Sequence, residues 1–396
     1  MDKPWLTIIG IGEDGLAGLP DASRSALEQA EIVFGGPRHL SLAGVAAKGR
    51  PWPVPFDIAP VLECRGRPVV VLASGDPFHF GAGGSLAEHL EPGEWHGLPA
   101  PGVFSLAAAR LGWRLEQIAC LGLHAAPFAR LRPYLGAGCR IIATLRDGAA
   151  LAALAEWLTA LGAGAMRMAV LERLGGAQER VRQARADSFG LTEIEAPVAV
   201  ALCGADLPRG FGPANAPGRS EAEFAHDGQI TKSPIRALTL AALAPRRGAL
   251  LWDIGGGSGA VSVEWALAGG RACCIEPRAD RLTNIRANID AYGLSGLVKP
   301  IHGKAPEALA GLAEPDAVFI GGGASHELFE TLWPLLPTAA QLVANAVTLE
   351  TEALLTELHA RHGGSLTRIE ISEAAPLGRM RGWQSARPVV QWQVTR

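Results

Sequence analysis

Leu250-Leu-Trp-Asp253-Ile-Gly255-Gly-Gly257-Ser-Gly259 is the stretch whose reading decides the fold. A β-rich apolar run, Ala249 to Ile254, stops at glycines and gives way to a helix-like segment near Ala260 to Ala268. Glycine lets the backbone turn sharply and lets a ligand approach it closely. The helix that follows points its partly positive N-terminus at that ligand. Glu276 ends the next strand-like run, where an acid accepts hydrogen bonds from both hydroxyls of a ribose. Asp253 precedes the first glycine by two positions and is placed to hold the methionine end of a cofactor. Asp253, Gly255, Gly256, Gly257, Ser258, Gly259 and Glu276 are therefore read as a site for S-adenosyl-L-methionine. Gly255, Gly257 and Ala260 also satisfy a relaxed dinucleotide fingerprint, so NAD stays open, as does a ligand-free turn.

Downstream, further strands are predicted at Arg271 to Ile275, Leu297 to Ile301, Ala317 to Ile320 and Gln341 to Ala344, with helices at Ala279 to Tyr292 and Leu349 to His362. Ser365 to Ser372 and Pro388 to Val394 then read as two strands of a hairpin. Five βα units followed by a hairpin match the seven-stranded, Rossmann-like sheet common among class I methyltransferases, which is the fold expected here. His302-Gly-Lys-Ala-Pro-Glu307 follows the third strand. Ligands lie beyond the carboxyl ends of such strands, which sets Gly303 and Ala305 beside an adenine; an ordinary helix start is the alternative.

Upstream, Trp5 to Ile9 is β-rich and runs into Gly10-Ile-Gly12-Glu-Asp-Gly15. A helix follows near Ala22 to Ala30, with Asp21 as its N-cap. Val69 to Ala73 is a buried-type strand leading into Ser74-Gly-Asp-Pro77 and a helix at Ser85 to His89. Strands at Arg140 to Thr144, Met168 to Glu172 and Val198 to Cys203 alternate with helices at Phe104 to Leu111, Phe128 to Leu135 and Ala149 to Leu161. This alternation again means an α/β architecture. Leu207 to Arg219, with three prolines and three glycines, breaks the pattern and reads as a linker. The expected division is residues 1–206, a linker at 207–220, and residues 221–396.

Composition narrows the function. Hydrophobic residues make up 48% and charged residues 19% of 396, so burial outweighs ordering entropy and disorder is not expected. A formal net charge of -3 gives no basic excess for nucleic acid, and no apolar run approaches the ~20 residues that span a bilayer. The six cysteines include no C-x-x-C and no zinc spacing, so no metal is expected and free thiols in a reducing cytosol are. No signal-peptide pattern opens the sequence, and a cytoplasmic protein is expected.

The motifs also carry a resemblance. HDGQITKSPIRALTLAALAP from His226, LLWDIGGGSG, IEPRADR, GKAPEAL, PDAVFIGGG and LVANAVTLE resemble the decarboxylating C15-methyltransferases of cobalamin synthesis. IGIGEDG, ASGDPFHFG, PGVFSLAAARLGW and ERLGGAQERV resemble the tetrapyrrole methylase family of the precorrin C5-methyltransferase kind. Joined in this order, the halves resemble the fused precorrin C5,15-methyltransferases. The resemblance implies a two-lobed class III methyltransferase fold in the first half. It also implies one S-adenosyl-L-methionine per domain, a precorrin substrate and a homo-oligomer. It places cofactor contacts on Gly10, Gly12, Gly75, Asp76, Pro77 and Ser105, and in the second half adds Thr231 to the glycine loop, Glu276 and Ala305. The sequence departs from the pattern at Arg173, often Asn, at Phe104, often Ser, and at Gly256, often Ala and harmless in a loop.

The implied substrate is a reduced tetrapyrrole with nucleophilic meso carbons and many carboxylates, so alignment with a sulfonium methyl and exclusion of water suffice for transfer. Loss of the ring acetate's carboxyl as CO₂ uses the macrocycle as electron sink and is helped by an adjacent acid, for which His226, Asp227 and Lys232 are the candidates. Arg379, Arg381 and Trp383 pair cations with an aromatic suited to a flat polyanion. An RNA or small-molecule methyltransferase, and a tetrapyrrole carrier on a degenerate fold, are the alternatives.

Overall fold

The computed structural model describes residues 4–45 and 47–396. Two compact units make up the chain. One holds residues up to Phe128 and Tyr134–Gly212; the other holds Ala129–Pro133 and Pro213–Arg396. The stretch read as a linker is shared out between them. Leu207 is buried in the first unit, where the Phe211 carbonyl accepts from the Ala137 N–H. In the second, the Gly218 and Arg219 N–H groups donate to Glu264 at 2.7 and 3.0 Å.

The first unit has two lobes. In its first lobe, β1 (Leu6–Ile11), β2 (Ile32–Gly35), β3 (Gly49–Pro51), β4 (Val69–Ser74) and β5 (Trp95–Leu98) form a parallel sheet in the order β3-β2-β4-β1-β5. Ile9, Ile11, Val70 and Leu72 pack into one apolar cluster and Leu6, Ile8, Val69 and Val71 into another. Burial on both faces is why β1 and β4 read as continuous apolar runs rather than alternations. The helix Asp21–Gln29 takes Pro20 as its cap, and Asp21 falls one position inside, in the first turn, where a helix N-terminus favours a carboxylate.

The second lobe contains β6 (Ala119–Gly122), β7 (Arg140–Leu145), β8 (Arg167–Glu172), β9 (Arg180–Arg185) and β10 (Val198–Cys203), ordered β6-β7-β10-β8-β9. Three arginines in β9 gave no strand signal. The strand is held because Glu172, buried on β8, accepts from Arg180 at 2.6 Å, from Arg182 at 2.9 Å and from the Glu195 N–H at 2.9 Å.

The second unit is built on β11 (Leu250–Ile254), β12 (Arg271–Glu276), β13 (Val298–His302), β14 (Ala317–Ile320), β15 (Gln341–Ala346), β16 (Ser365–Ile369), β17 (Ser372–Leu377), β18 (Met380–Ser385) and β19 (Val389–Thr395). Seven of these form a sheet in the order β13-β12-β11-β14-β15-β19-β16, with β19 antiparallel to both neighbours. Strand order reverses at β11, so a crevice opens between the carboxyl ends of β11 and β14. The end of the chain differs from the simple hairpin expected. β16 pairs with β19, but between them β17 and β18 form a separate two-stranded sheet. Their residues are largely exposed, so no core-facing pattern marks them. Among the described residues no helix is long and apolar enough to cross a membrane.

Candidate active sites

In the second unit the crevice is a cavity of about 1320 Å³. Gly255, Gly257 and Gly259 have φ of +72°, +59° and +74°, which side chains resist. A Cβ on Gly255 would lie 2.7 Å from the Gly322 carbonyl oxygen, so the loops after β11 and β14 touch. Glu276, at the end of β12, is 2% exposed. Its carboxylate accepts from the Gly257 N–H at 2.8 Å and the Arg278 N–H at 3.0 Å. Those two bonds pin it at the cavity wall, and each oxygen keeps a lone pair for a hydroxyl. Gly255, Gly256, Gly257, Ser258, Glu276, Thr231, Gly303 and Ala305 all line the same cavity. Gly259 sits behind the loop, against Ile285. Thr231 is fixed through its carbonyl, which accepts from buried Arg236. Arg236 also binds Glu264 at 2.7 Å and the Arg219 carbonyl. The glycine cradle, the pinned acid and the unfilled lone pairs fit an adenosyl cofactor.

Other expected residues are placed differently. Asp253 does not reach the cavity. It is 1% exposed and bonds the Ser262 hydroxyl at 2.6 Å and the Ser262 N–H at 3.2 Å, so it ties β11 to the helix Ala260–Leu267. Burial, with a smaller push from Glu276, raises its carboxyl to about 6 against the Ser262 bonds. Gly256 is not a harmless position either, since a Cβ there would lie 2.3 Å from the Cys274 sulfur. Asp227 bonds Arg281 at 2.9 Å, and that bond with the Gln229 N–H holds its carboxyl below the usual range. A carboxylate so held is a poor proton donor at neutral pH. His226 is exposed, accepts from the Gly228 N–H, and does not line the cavity. Of the three acid candidates only Lys232 lines it. Arg379, Arg381 and Trp383 lie around the turn of the β17–β18 hairpin, outside the cavity lining, with Trp383 78% exposed. The base of that hairpin does line it, through Glu373 and Arg387, as do Ile371 and Val389. Sequence reasoning missed these because only the fold brings residues 373 and 387 back to the glycine loop.

In the first unit the glycines are required by contact. A Cβ on Gly10 would lie 1.7 Å from the Gly75 carbonyl oxygen, and one on Gly75 would lie 2.5 Å from the Gly102 Cα. The loops after β1, β4 and β5 are thus pressed together. Asp76 accepts from the Phe78 N–H at 2.9 Å, and the Pro77 carbonyl accepts from the Gly83 N–H at 2.9 Å. The Gly12 carbonyl closes its loop by accepting from the Gly15 N–H. Ser105 is exposed on the helix Val103–Leu111, while Phe104 turns inward with its ring 4.6 Å from that of His79. Arg173 takes φ +47°, a conformation Asn tolerates, and is held there by Glu195 at 2.8 Å. A group not read from the sequence sits at the carboxyl ends of the same strands. Arg38 pairs with Glu13 and bonds the Ser74 hydroxyl at 2.9 Å, and the His39 Nε2 lies 2.8 Å from that hydroxyl. Burial first and Arg38 second push the His39 imidazole down to about 4, so it is neutral. These residues are far apart in sequence, and no spacing links them.

Both units therefore present close-packed glycine loops at the ends of parallel strands, and in the second these open into a cavity. Residues 5–189 match the tetrapyrrole (corrin/porphyrin) methylases, and residues 222–396 match the precorrin methyltransferase domain. Fold and family matches together define a two-unit methyltransferase. Over 404 aligned residues the chain is 47% identical to the precorrin-6Y C(5,15)-methyltransferase [decarboxylating] of Sinorhizobium sp., covering 100% of this chain and 97% of that protein. It is 37% identical over 398 residues to the protein of the same description from Mycobacterium tuberculosis (strain CDC 1551 / Oshkosh), covering 99% and 100%. The crystal structure of the C-terminal domain of precorrin-6Y C5,15-methyltransferase from Rhodobacter capsulatus is 66% identical over 46% of this chain and all of that one, with a TM-score of 0.46. The chain belongs to the decarboxylating precorrin-6Y C(5,15)-methyltransferase family.

Proposed function

We propose that each unit binds one S-adenosyl-L-methionine. The first unit then methylates C5 of precorrin-6B, and the second methylates C15 and removes the C12 acetate carboxyl, giving precorrin-8X. The observation that carries this reading is Glu276, pinned beside a glycine cradle that opens into a cavity larger than the roughly 300–1,000 Å³ typical of one small ligand. Bound there, the donor would supply an electrophilic methyl group. The chain's part is positional. Glu276 orients the ribose, the loops at Gly255–Ser258 and Gly303–Ala305 bracket the nucleoside, and Ile369, Ile371 and Val389 keep water from the reacting carbon. In decarboxylation the carbon–carboxyl electron pair passes into the macrocycle, and a proton then lands on the freed carbon. Lys232 is the candidate donor, since among the described residues no ion pair or hydrogen bond engages its ammonium. The same reading includes a homo-oligomer, supported by the exposed Leu377, Met380 and Trp383; a monomeric mass in sedimentation would oppose it.

The test uses the full chain. Gly10→Val should leave one methyl transfer and CO₂ release, because its side chain collides with the Gly75 and Ala100 backbone and so disrupts the first unit's loops alone. Glu276→Ala should leave one transfer and no CO₂. Mass spectrometry of the products reads both. If Glu276→Ala still methylates twice and decarboxylates, the assignment of the second site falls.

A further inference from the structure

We propose that Arg387, on the link between β18 and β19, is a carboxylate-binding cation of the second unit's cavity and favours a polyanionic macrocycle there. This inference rests on the tetrapyrrole reading above and names a residue that serves it.

Arg387 lines the cavity, and among the described residues no ion pair or hydrogen bond occupies its guanidinium. Nearby arginines are already committed, and the other unpaired cations of the lining among the described residues, Lys232 and Lys304, offer an ammonium rather than a planar fork. Arg281 is bonded to Asp227 at 2.9 Å, and Arg278 to Asp280 at 2.5 Å. An unpaired guanidinium offers a planar fork matched to a carboxylate. Its backbone is fixed on both sides. Ahead of it the Ala386 N–H donates to the Ile371 carbonyl at 2.8 Å, and after it Pro388 leads into the buried Val389. The fork is therefore presented by a braced link rather than by a loose tail, which limits the ordering entropy lost on binding. Beside it Ile369, Ile371 and Val389 give the cavity an apolar wall. An apolar wall edged by a free cation complements a flat ring with carboxylates at its rim. The cofactor bears one carboxylate of its own, so S-adenosylhomocysteine binding is the control that tells the two ligands apart. Glu373 lines the same cavity with the opposite charge and repels the same carboxylates. Removing it should act in the opposite direction.

The experiment follows CO₂ release by the full-length enzyme, which reports the second site alone. Uroporphyrin, with eight carboxylates, and its octamethyl ester serve as competing ligands, and S-adenosylhomocysteine affinity is measured by calorimetry. Arg387→Ala should raise the inhibition constant of uroporphyrin roughly ten-fold or more, as loss of a charge-assisted hydrogen bond implies. It should leave the ester and S-adenosylhomocysteine within about two-fold, a small fraction of the effect expected for the charge. Arg387→Lys should recover part of the loss, and Glu373→Gln should lower the uroporphyrin constant. Equal weakening of acid and ester, unchanged uroporphyrin inhibition, or parallel loss of S-adenosylhomocysteine would overturn the role of Arg387. If the unaltered enzyme releases no CO₂ from any tetrapyrrole, the functional reading itself fails, independently of Arg387.

Discussion

Asp253→Asn should change how stability depends on pH rather than simply weaken the fold. The Asp253 carboxyl is buried, and burial raises it from 3.8 to about 6 while Ser262 resists. A group whose folded value is raised holds its proton more tightly in the folded state. Stability is then greatest below the unfolded value and falls as pH rises through the folded one. At 1.36 kcal/mol per unit, this shift is worth about 3 kcal/mol, lost between roughly pH 4 and pH 6. Asn cannot ionise, yet its carbonyl oxygen can still accept from Ser262. The stability of Asp253→Asn minus that of the unaltered chain should therefore rise by about 3 kcal/mol between pH 4 and pH 7. Any fixed penalty for the unpaired amide shifts the whole curve without changing its slope, and titrating groups not coupled to Asp253 cancel in the difference. Urea unfolding across this range, with hydrogen exchange at the amides of β11 and β12, measures it. A difference that is flat or falls with pH would refute the claim that Asp253 is charged and strained at neutral pH.

Gly256→Ala should destabilise the second unit by roughly 1–3 kcal/mol, because its Cβ collides with the Cys274 sulfur; adding Cys274→Ala should restore most of the loss in the same urea titration. Arg236→Met should lower stability by roughly 3–5 kcal/mol, since it strands the buried Glu264. Arg236→Lys should not rescue it, because an ammonium cannot span Glu264 and the Thr231 and Arg219 carbonyls as the guanidinium does. Calorimetry with S-adenosylhomocysteine should show affinity falling alongside, since the Thr231 carbonyl loses its tether.

The second unit was legible where its elements are long and locally consistent. The helix at Leu349–His362 was read with its observed ends, and the strand at Ala317–Ile320 likewise. The glycine loop and Glu276 were readable because backbone freedom and an acid at a strand end are local properties. Burial is not local, which is why Asp253 was assigned to the ligand rather than to Ser262. Short strands such as Gly49–Pro51 and Trp95–Leu98 carry too few residues for a period. β9 and the β17–β18 hairpin are polar because they are held by partner strands and ion pairs, not by an apolar face. Arg387, and the group of Glu13, Arg38, His39 and Ser74, are assembled only by tertiary folding, and no spacing announces them.

The place of β19 has a consequence for damaged messages. Although it follows the hairpin excursion, it is wedged between β15 and β16, and Val390, Trp392 and Val394 belong to the core. A stop codon anywhere ahead of Val389 would therefore not trim a tail. It would leave the apolar Leu342–Ala344 run as an open sheet edge, a template for aggregation. Such truncated chains should collect as insoluble material or be degraded, instead of surviving as a weakened enzyme.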